Sequence, residues 1–187
     1  MTLHIHSDAS YLSEANARSR AGGYFFLSEL YADPNKAPSP DSPLPPMNGA
    51  IHVLSTILKN VMASASEAEL GALFLNAREA ATIRTTLVEL GHPQPPTPII
   101  TDNKCAAGIA NDTVKQKRSK VINMRFFWIV DRIKQKMFLV HWRRGIENLA
   151  DYFTKHHSPA HHRLVRSWYL HCLRSAGQHN QGVTRVC

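Results

Sequence analysis

The stretch LHIHSDAS, residues 3–10, decides how the rest of the sequence is interpreted, because its apolar and polar residues alternate and it ends close to a single acid. In an extended strand, the leucine and isoleucine project to one face, so we expect His4 and His6 together on a polar face. Asp8 lies where this strand ends. Burying an acid is unfavourable without a cationic partner. The strand therefore predicts that another part of the chain brings a cation to Asp8.

The composition fits one globular domain with or without a tail, since the 187 residues are 43% hydrophobic. The formal net charge is +8, which favours polyanions such as nucleic acid or an anionic membrane. A membrane is disfavoured because the sequence has no long apolar run and no signal-peptide pattern. The three cysteines are far apart and odd in number, which indicates a reducing compartment. We therefore expect a cytoplasmic protein.

Downstream of the first strand, the sequence predicts an antiparallel meander. A polar loop over 11–20 is followed by a dense apolar run at 24–27, which is typical of a buried strand. Residues 34–46 contain six prolines, so they predict a surface loop rather than a helix or strand. The alternating run at 50–58 predicts a third strand. Consecutive strands joined by loops favour antiparallel pairing.

The next segment predicts a long amphipathic helix that carries an acid on its buried side. Ser66 and Glu69 have the spacing of a capping box. Apolar residues then recur every three or four positions from Leu73 until Gly91 ends the pattern. Glu69 precedes Leu73 by one turn and so faces the sheet, whereas Glu67 lies about 200° away around the helix.

The second half of the sequence alternates strands and helices. Strands are predicted at 99–101 and 137–142, and helices at 105–110 and 147–155. The segment 115–136 carries eight lysines or arginines with an apolar stripe between them, which predicts a basic amphipathic helix preceded by a basic loop. Strands first, then helices alternating with strands, predict an α/β fold in which helices flank a mixed sheet.

Four acids occupy related positions in this predicted fold. Asp8 and Asp102 each end a strand, Asp151 lies in the first turns of a helix, and Glu69 lies on a buried stripe. A divalent metal held by oxygen ligands resolves their mutual repulsion, and Mg²⁺ or Mn²⁺ suits carboxylates. Taken singly, each acid also fits a surface or capping role, since Asp102 and Asp151 both lie near helix N-termini.

The motifs around these acids resemble the ribonuclease H domain of copia-type LTR retrotransposon Pol polyproteins. They are SDAS at 7–10, SASEAEL at 64–70, TDNKCA at 101–106 and ENLADYFTK at 147–155. The segments RSRAGGYFFL, at 18–27, and KRSKVINMRFFWIVDRI, at 117–133, fit the same pattern. The resemblance covers most of residues 3–157. It implies a ribonuclease H-like domain over 1–157, followed by a basic, partly helical His/Arg-rich tail over 158–187.

The resemblance implies a mixed five-stranded sheet with the four acids at one edge. It also implies hydrolysis of the RNA strand of RNA–DNA hybrids during reverse transcription, with two Mg²⁺ ions as cofactors and Mn²⁺ as a substitute. Asp8 would bridge the two ions, Glu69 and Asp102 would complete one side, and Asp151 the other. The implied partners are the hybrid and a reverse transcriptase domain of the parent polyprotein, in retrotransposon particles or with access to the nucleus.

Basic side chains are expected to contact the phosphates of the hybrid, which is recognised through its backbone and 2′-hydroxyls. They are Arg18, Arg20, Lys117, Arg118, Lys120, Arg125, Arg143 and Arg144.

Histidines suggest two further roles. His141, ten residues before Asp151, is a candidate for product release, although its surroundings favour an ordinary strand residue. His157 and His161 have zinc-like spacing, but a nearby glutamate or cysteine is missing from the pattern, which favours phosphate contacts.

Two other functions remain open from the sequence. A retrotransposon relic could keep the basic surface and bind nucleic acid without turnover, although clustered acids have no use in a pure binding protein. An integrase-like nuclease on the same sheet is less favoured, because integrase-like sites use fewer acids.

Overall fold

The computed structural model describes residues 1–113 and 120–170, with side chains described except at 120–123. Its sheet has five strands in the order β3-β2-β1-β4-β5. The strands are β1 Thr2–Glu14, β2 Arg18–Ser28, β3 Ala50–Ile57, β4 Thr97–Thr101 and β5 Phe138–Trp142. The α-helices of the described ranges are α1 Ala65–Glu89, α2 Lys104–Ala110, α3 Lys120–Lys134 and α4 Pro159–Tyr169.

The sheet is mixed, as the sequence predicts. Strands β1, β2 and β3 form an antiparallel meander, whereas β4 pairs parallel to β1 and β5 pairs parallel to β4. Parallel neighbours require crossover connections, and the helices between β3 and β5 supply them. The carboxyl ends of β1, β4 and β5 consequently lie at one edge, which is the edge that the acids occupy.

The hairpin between β1 and β2 is longer than predicted. The prediction of a polar loop over 11–20 is wrong, because β1 continues to Glu14 and β2 begins at Arg18. The strand pairing shifts register between Ser10 and Glu14, and Leu12 has a positive φ of 53°. Residues 11–13 are exposed, so this part of the hairpin lies beyond the core. This stretch therefore carries no apolar alternation that the sequence could show.

The N-cap of helix α1 is Ser64, two residues before the predicted cap at Ser66. The capping box at Ser66 and Glu69 is wrong. Instead, the Ser64 hydroxyl accepts a hydrogen bond from the Glu67 N–H at 3.2 Å, and the Glu67 carboxylate accepts from the Ala63 N–H at 2.6 Å. Since Glu67 caps the helix, Glu69 is left to face the interior.

One face of the sheet forms the main apolar core with α1, α2 and α3. Leu3, Ile5 and Phe25 from the strands are fully buried against Leu73 of α1 and Ile129 of α3. The odd-numbered positions of β1 thus supply the core, in agreement with the predicted alternation.

The opposite face of the sheet is aromatic and polar, and it is also covered. His4 and His6 share this face, as predicted, but they expose only 2% and 0% of their surface. Both imidazoles pack against Phe26, with ring centroids 5.4 and 5.3 Å away. The His4 Nε2 atom is hydrogen-bonded to the Glu29 carbonyl oxygen at 2.8 Å. Aromatic contacts and a backbone partner allow these histidines to be buried.

The last described helix packs on this second face. Val165 of α4 is buried, the Tyr169 ring stacks on Tyr152 at 4.5 Å, and its hydroxyl donates to the Leu149 carbonyl at 3.0 Å. The first part of the predicted 158–187 tail is therefore helical and attached to the domain, while residues 171–187 lie outside the described ranges. Within those ranges, none of the helices has the length and apolarity needed to cross a bilayer.

Candidate active site

Asp8 does not end its strand as predicted, because β1 continues to Glu14; it lies opposite Gly22 of β2, two residues before the register shift. Its carboxylate is buried and accepts a hydrogen bond from the Thr154 hydroxyl. Glycine at position 22 is required by close approach, because a Cβ there would lie 2.7 Å from the Ala150 carbonyl oxygen. The segment around residue 150 is thereby held against β1, and it brings Thr154 to Asp8.

Glu69 reaches the same place from α1 and exposes 6% of its surface. Its Oε1 atom accepts a hydrogen bond from the Ala9 N–H at 3.2 Å. Its Oε2 atom is buried and has no hydrogen-bond partner among the described residues. The carboxyl group is therefore fixed through one oxygen, and the second oxygen is available to a ligand.

Asp102 follows β4 directly. Helix α2 is capped by Asn103, whose side-chain oxygen accepts from the Ala106 N–H at 2.9 Å, so Asp102 is not needed as a cap. A Cβ at Gly145 would lie 2.8 Å from the Asp102 Oδ2 atom. Glycine at position 145 thus leaves room for this carboxylate beside the 3-10 helix Gly145–Glu147.

The three carboxylates form one cluster. Asp8, Glu69 and Asp102 can each place an oxygen within 4.8 Å of the others. Burial, reinforced by the charges of Asp8 and Asp102, raises the pKa of Glu69 to about 9. Burial also raises the pKa of Asp8 to about 6, against the hydrogen bond from Thr154, and raises the pKa of Asp102. The cluster is therefore unfavourable in its fully ionised form unless a cation joins it.

Asp151 stands beside this cluster and is paired with a lysine. It lies in a 3-10 helix, Leu149–Phe153, rather than in the α-helix predicted over 147–155. Its carboxylate accepts a hydrogen bond from the Lys155 ammonium group. The Asp151 charge raises the pKa of both Asp8 and Asp102, whereas the Lys155 charge lowers both. The structure thus brings three of the predicted acids together and places the fourth next to them.

Solved structures that share this arrangement of strands and helices include ribonucleases H. LC11-RNase H1, in complex with an RNA/DNA hybrid, is similar with a TM-score of 0.54 at 12% identity, over 81% of this chain and 92% of that one. RNase H1 from the archaeon Halobacterium salinarum NRC-1 is similar with a TM-score of 0.50 at 13% identity, over 82% and 94%. The chain has the ribonuclease H fold. No protein-family profile matches its sequence.

On this ribonuclease H fold, two of the arginines predicted to contact phosphate form ion pairs with acids of the chain. Arg18 is exposed. Arg20 pairs with Glu14 at 2.6 Å, and Arg144 pairs with Asp41 at 2.9 Å.

The remaining basic residues near α3 are only partly described. The Arg125 guanidinium lies 5.6 Å from the centre of the Phe74 ring. Lys117 and Arg118 lie outside the described residues, and so does the side chain of Lys120.

Two predicted site residues belong to the interior instead. The Arg143 side chain is 0% exposed, and its Nη1 atom donates to the Pro40 and Ser42 carbonyls at 2.9 and 2.6 Å. The prediction that Arg143 contacts phosphate is therefore wrong. His141 is buried within β5, and burial lowers its pKa to about 4. This position contradicts a mobile product-release histidine.

Two further residues, which contact the acids, were not singled out from the sequence. Thr154 and Lys155 follow Asp151 by three and four positions, which is a local signal that could have been used. Lys104 follows Asp102, and its ammonium group lies 4.3 Å above the Trp142 ring. The Trp142 N–H in turn donates to the Asp102 carbonyl at 2.8 Å.

The histidines of α4 and its approach do not form a metal centre. The rings of His157 and His161 stack at 4.4 Å, and both lie against Tyr152. In the described part of the chain, Asp8, Glu69 and Asp102 are the group of His, Cys, Asp or Glu side chains close enough to share an ion.

Proposed function

We propose that this protein is a metal-dependent endonuclease that hydrolyses the RNA strand of RNA–DNA hybrids. The observation that carries the proposal is the buried cluster of Asp8, Glu69 and Asp102, whose oxygens lie within 4.8 Å of one another at the end of a ribonuclease H sheet. Clustered buried acids destabilise a protein unless they serve a cation or a proton. A nucleic-acid partner also agrees with the formal charge of +8.

The residues present fit a divalent metal. The donors of the cluster are carboxylate oxygens, which Mg²⁺ and Mn²⁺ prefer, and the Oε2 atom of Glu69 is buried without a partner among the described residues. Asp8, Glu69 and Asp102 would hold one ion. Asp8 and Asp151 would hold a second, which requires that Asp151 release Lys155.

The chain itself contributes positioning and proton release. Bound divalent ions would supply Lewis-acid activation of a water molecule and of the scissile phosphate. Thr154 and the Ala9 N–H each fix one carboxylate oxygen, of Asp8 and of Glu69 respectively. Because the pKa values of both acids are raised, their carboxyl groups must lose protons before they bind a cation. Metal affinity should therefore increase with pH.

The pairing of Asp151 with Lys155 favours a second candidate function. An internal ammonium group already neutralises part of the acidic site, as would suit a retrotransposon relic that binds nucleic acid without cleaving it. In that case the basic surface would bind the hybrid, and addition of metal would not lead to cleavage of the bound hybrid.

We further propose that the chain derives from a copia-type LTR retrotransposon Pol polyprotein, supported by the order of its four acidic motifs. Its partner would then be a reverse transcriptase domain of that polyprotein. Its location would be cytoplasmic, within retrotransposon particles, with access to the nucleus.

Cleavage assays test the nuclease directly. Labelled RNA–DNA hybrid, duplex DNA and single-stranded RNA are each incubated with protein and with Mg²⁺, Mn²⁺ or EDTA. We expect cleavage of the hybrid only, and only with metal. Glu69→Gln should abolish it, whereas Glu67→Gln, on the same helix but capping it, should retain most of it. Hybrid binding without cleavage under every condition would instead support the relic, and preferred cleavage of duplex DNA would support an integrase-like nuclease.

A further inference from the structure

A cavity lies beside the 3-10 helix that carries Asp151. It has a volume of about 530 Å³ and lies between α4 and strands β2 and β3. Volumes of roughly 300–1,000 Å³ are typical of small-ligand sites. Tyr152 and Phe153 line it, while Asp151 and Thr154, on either side of them in the chain, belong to the acidic site. The cavity is therefore separate from the cluster of acids but shares its supporting segment.

The walls of this cavity are aromatic. Tyr24, Tyr152, Phe153 and Tyr169 all line it. The rings of Tyr152 and Tyr169 are stacked, with centroids 4.5 Å apart, and Tyr24 lies edge-on to Tyr169 at 5.8 Å. Such surfaces favour a flat, conjugated ligand, because every nucleobase can stack on an aromatic ring regardless of sequence.

The rim of the cavity is basic. His162, Arg163 and Arg166 line it from α4, and both arginines are exposed. Neither arginine forms an ion pair with the residues that the structure describes. Two free guanidinium groups one turn apart provide charge complementary to a phosphate, which they can bind through paired hydrogen bonds.

A buried hydroxyl also indicates a polar ligand. Tyr24 exposes 1% of its surface, and its hydroxyl has no hydrogen-bond partner among the described residues. A buried hydroxyl without a partner is unfavourable. Because Tyr24 lines the cavity, a ligand with a hydrogen-bonding edge could satisfy it, as a base can and a hydrocarbon cannot.

We propose that this cavity binds one nucleotide unit, with its base against the aromatic wall and its phosphate on Arg163 and Arg166. The unit is either a free nucleoside monophosphate or an unpaired nucleotide of a nucleic-acid strand that reaches beyond the acidic site. The proposal does not depend on nuclease activity, since it uses none of the four acids.

Binding of adenosine 5′-monophosphate in EDTA tests the site, because the acidic cluster then holds no metal. We expect saturable binding by calorimetry that the double variant Arg163→Gln/Arg166→Gln weakens by about tenfold or more. Tyr24→Phe should weaken it by about threefold. Arg78→Gln, which alters an exposed arginine on α1, and Asp102→Asn should leave it unchanged. Inorganic phosphate should bind more weakly than the nucleotide.

The source of the nucleotide is resolved with RNA–DNA hybrids that are blunt or carry a single-stranded tail. If the tail increases affinity for the original protein but not for the double variant, the ligand belongs to a strand. If the monophosphate binds and the tail has no effect, the ligand is a free nucleotide. Absence of saturable binding of both the monophosphate and the tail, or equal binding by the double variant, overturns the proposal.

Discussion

Charged side chains are buried at two places beside the sheet, and their neighbours differ in charge. Arg143, directly after β5, is fully buried, and its Nη1 atom donates to two carbonyl oxygens of the Pro-rich loop and lies 3.5 Å from the Glu147 carboxylate. Its Nε and Nη2 atoms have no hydrogen-bond partner among the described residues. Asp8 and Glu69 are nearly as buried, but their closest charged neighbours include other acids, and their pKa values rise to about 6 and 9.

Burial by itself therefore does not identify a functional charge. A buried ion with fixed partners of opposite polarity serves the fold, because removing it would leave those partners unsatisfied. Buried ions of the same sign oppose the fold, so their presence indicates a cation or proton that is brought in for chemistry.

The largest expected effect is on catalysis by the acidic cluster. Asp8→Asn keeps the shape of the side chain but removes its charge, so cleavage of RNA–DNA hybrid should fall at least about a thousandfold, or ~4 kcal/mol of transition-state stabilisation. Thermal unfolding in EDTA should show no loss of stability. Cleavage within tenfold of the original rate would place the reaction elsewhere.

The next effect is a pH dependence of stability that belongs to Glu69. Its folded-state pKa of about 9 exceeds the ordinary 4.5, so between these values the folded protein holds a proton that the unfolded chain releases. Stability is therefore complete below pH 4.5 and is lost as pH rises toward 9. Denaturant titrations in EDTA should show that the free energy of unfolding of Glu69→Gln exceeds that of the original protein by an amount that grows across this window. A pH-independent difference would contradict the raised pKa.

Arg143→Met should destabilise the fold by ~3 kcal/mol, because it leaves the Pro40 and Ser42 carbonyls without their donor. Urea unfolding measures this loss. Arg144→Met is the matched control, since the Arg144 pair with Asp41 is exposed and should change stability by no more than about 0.5 kcal/mol. Equal effects of the two changes would mean that the loop does not depend on Arg143.

The smallest effect concerns Lys155. Because its ammonium group holds Asp151, Lys155→Met should lower the Mg²⁺ concentration needed for half-maximal cleavage by about three- to tenfold. Metal titrations of the cleavage rate measure this shift. A rise in the required Mg²⁺ concentration would show that Lys155 contributes to substrate binding rather than competing with the metal.

Local spacing predicted much of the fold and the acids of the site. Spacing between neighbouring residues gives the alternation in β1 and the apolar stripe of α1. The same helical spacing places Glu69 on the buried face of α1. The capping box was harder, because Ser64 with Glu67 and Ser66 with Glu69 fit the same pattern. Burial of Glu69 decides between them, and burial is a property of the packed fold.

Contacts between distant residues could not be predicted in this way. Arg143 resembles a surface arginine next to Arg144, and its burial depends on carbonyl groups of a loop 103 residues earlier. His4 and His6 fit a polar strand face, but Phe26, Tyr31 and the segment at Leu149 cover it. Single-sequence periodicity shows which face a residue occupies, but it does not show what will lie on that face.

The central position of β1 also bears on how the chain is made. A ribosome produces Thr2–Glu14 before its neighbours, and this strand needs β2 on one side and β4, Thr97–Thr101, on the other. Until β4 has left the exit tunnel, one side of β1 has exposed backbone donors and acceptors next to the apolar Leu3 and Ile5. Nascent chains that stall before residue 97 should therefore depend on chaperones, whereas those stalled after α2 has emerged can close the sheet around β1.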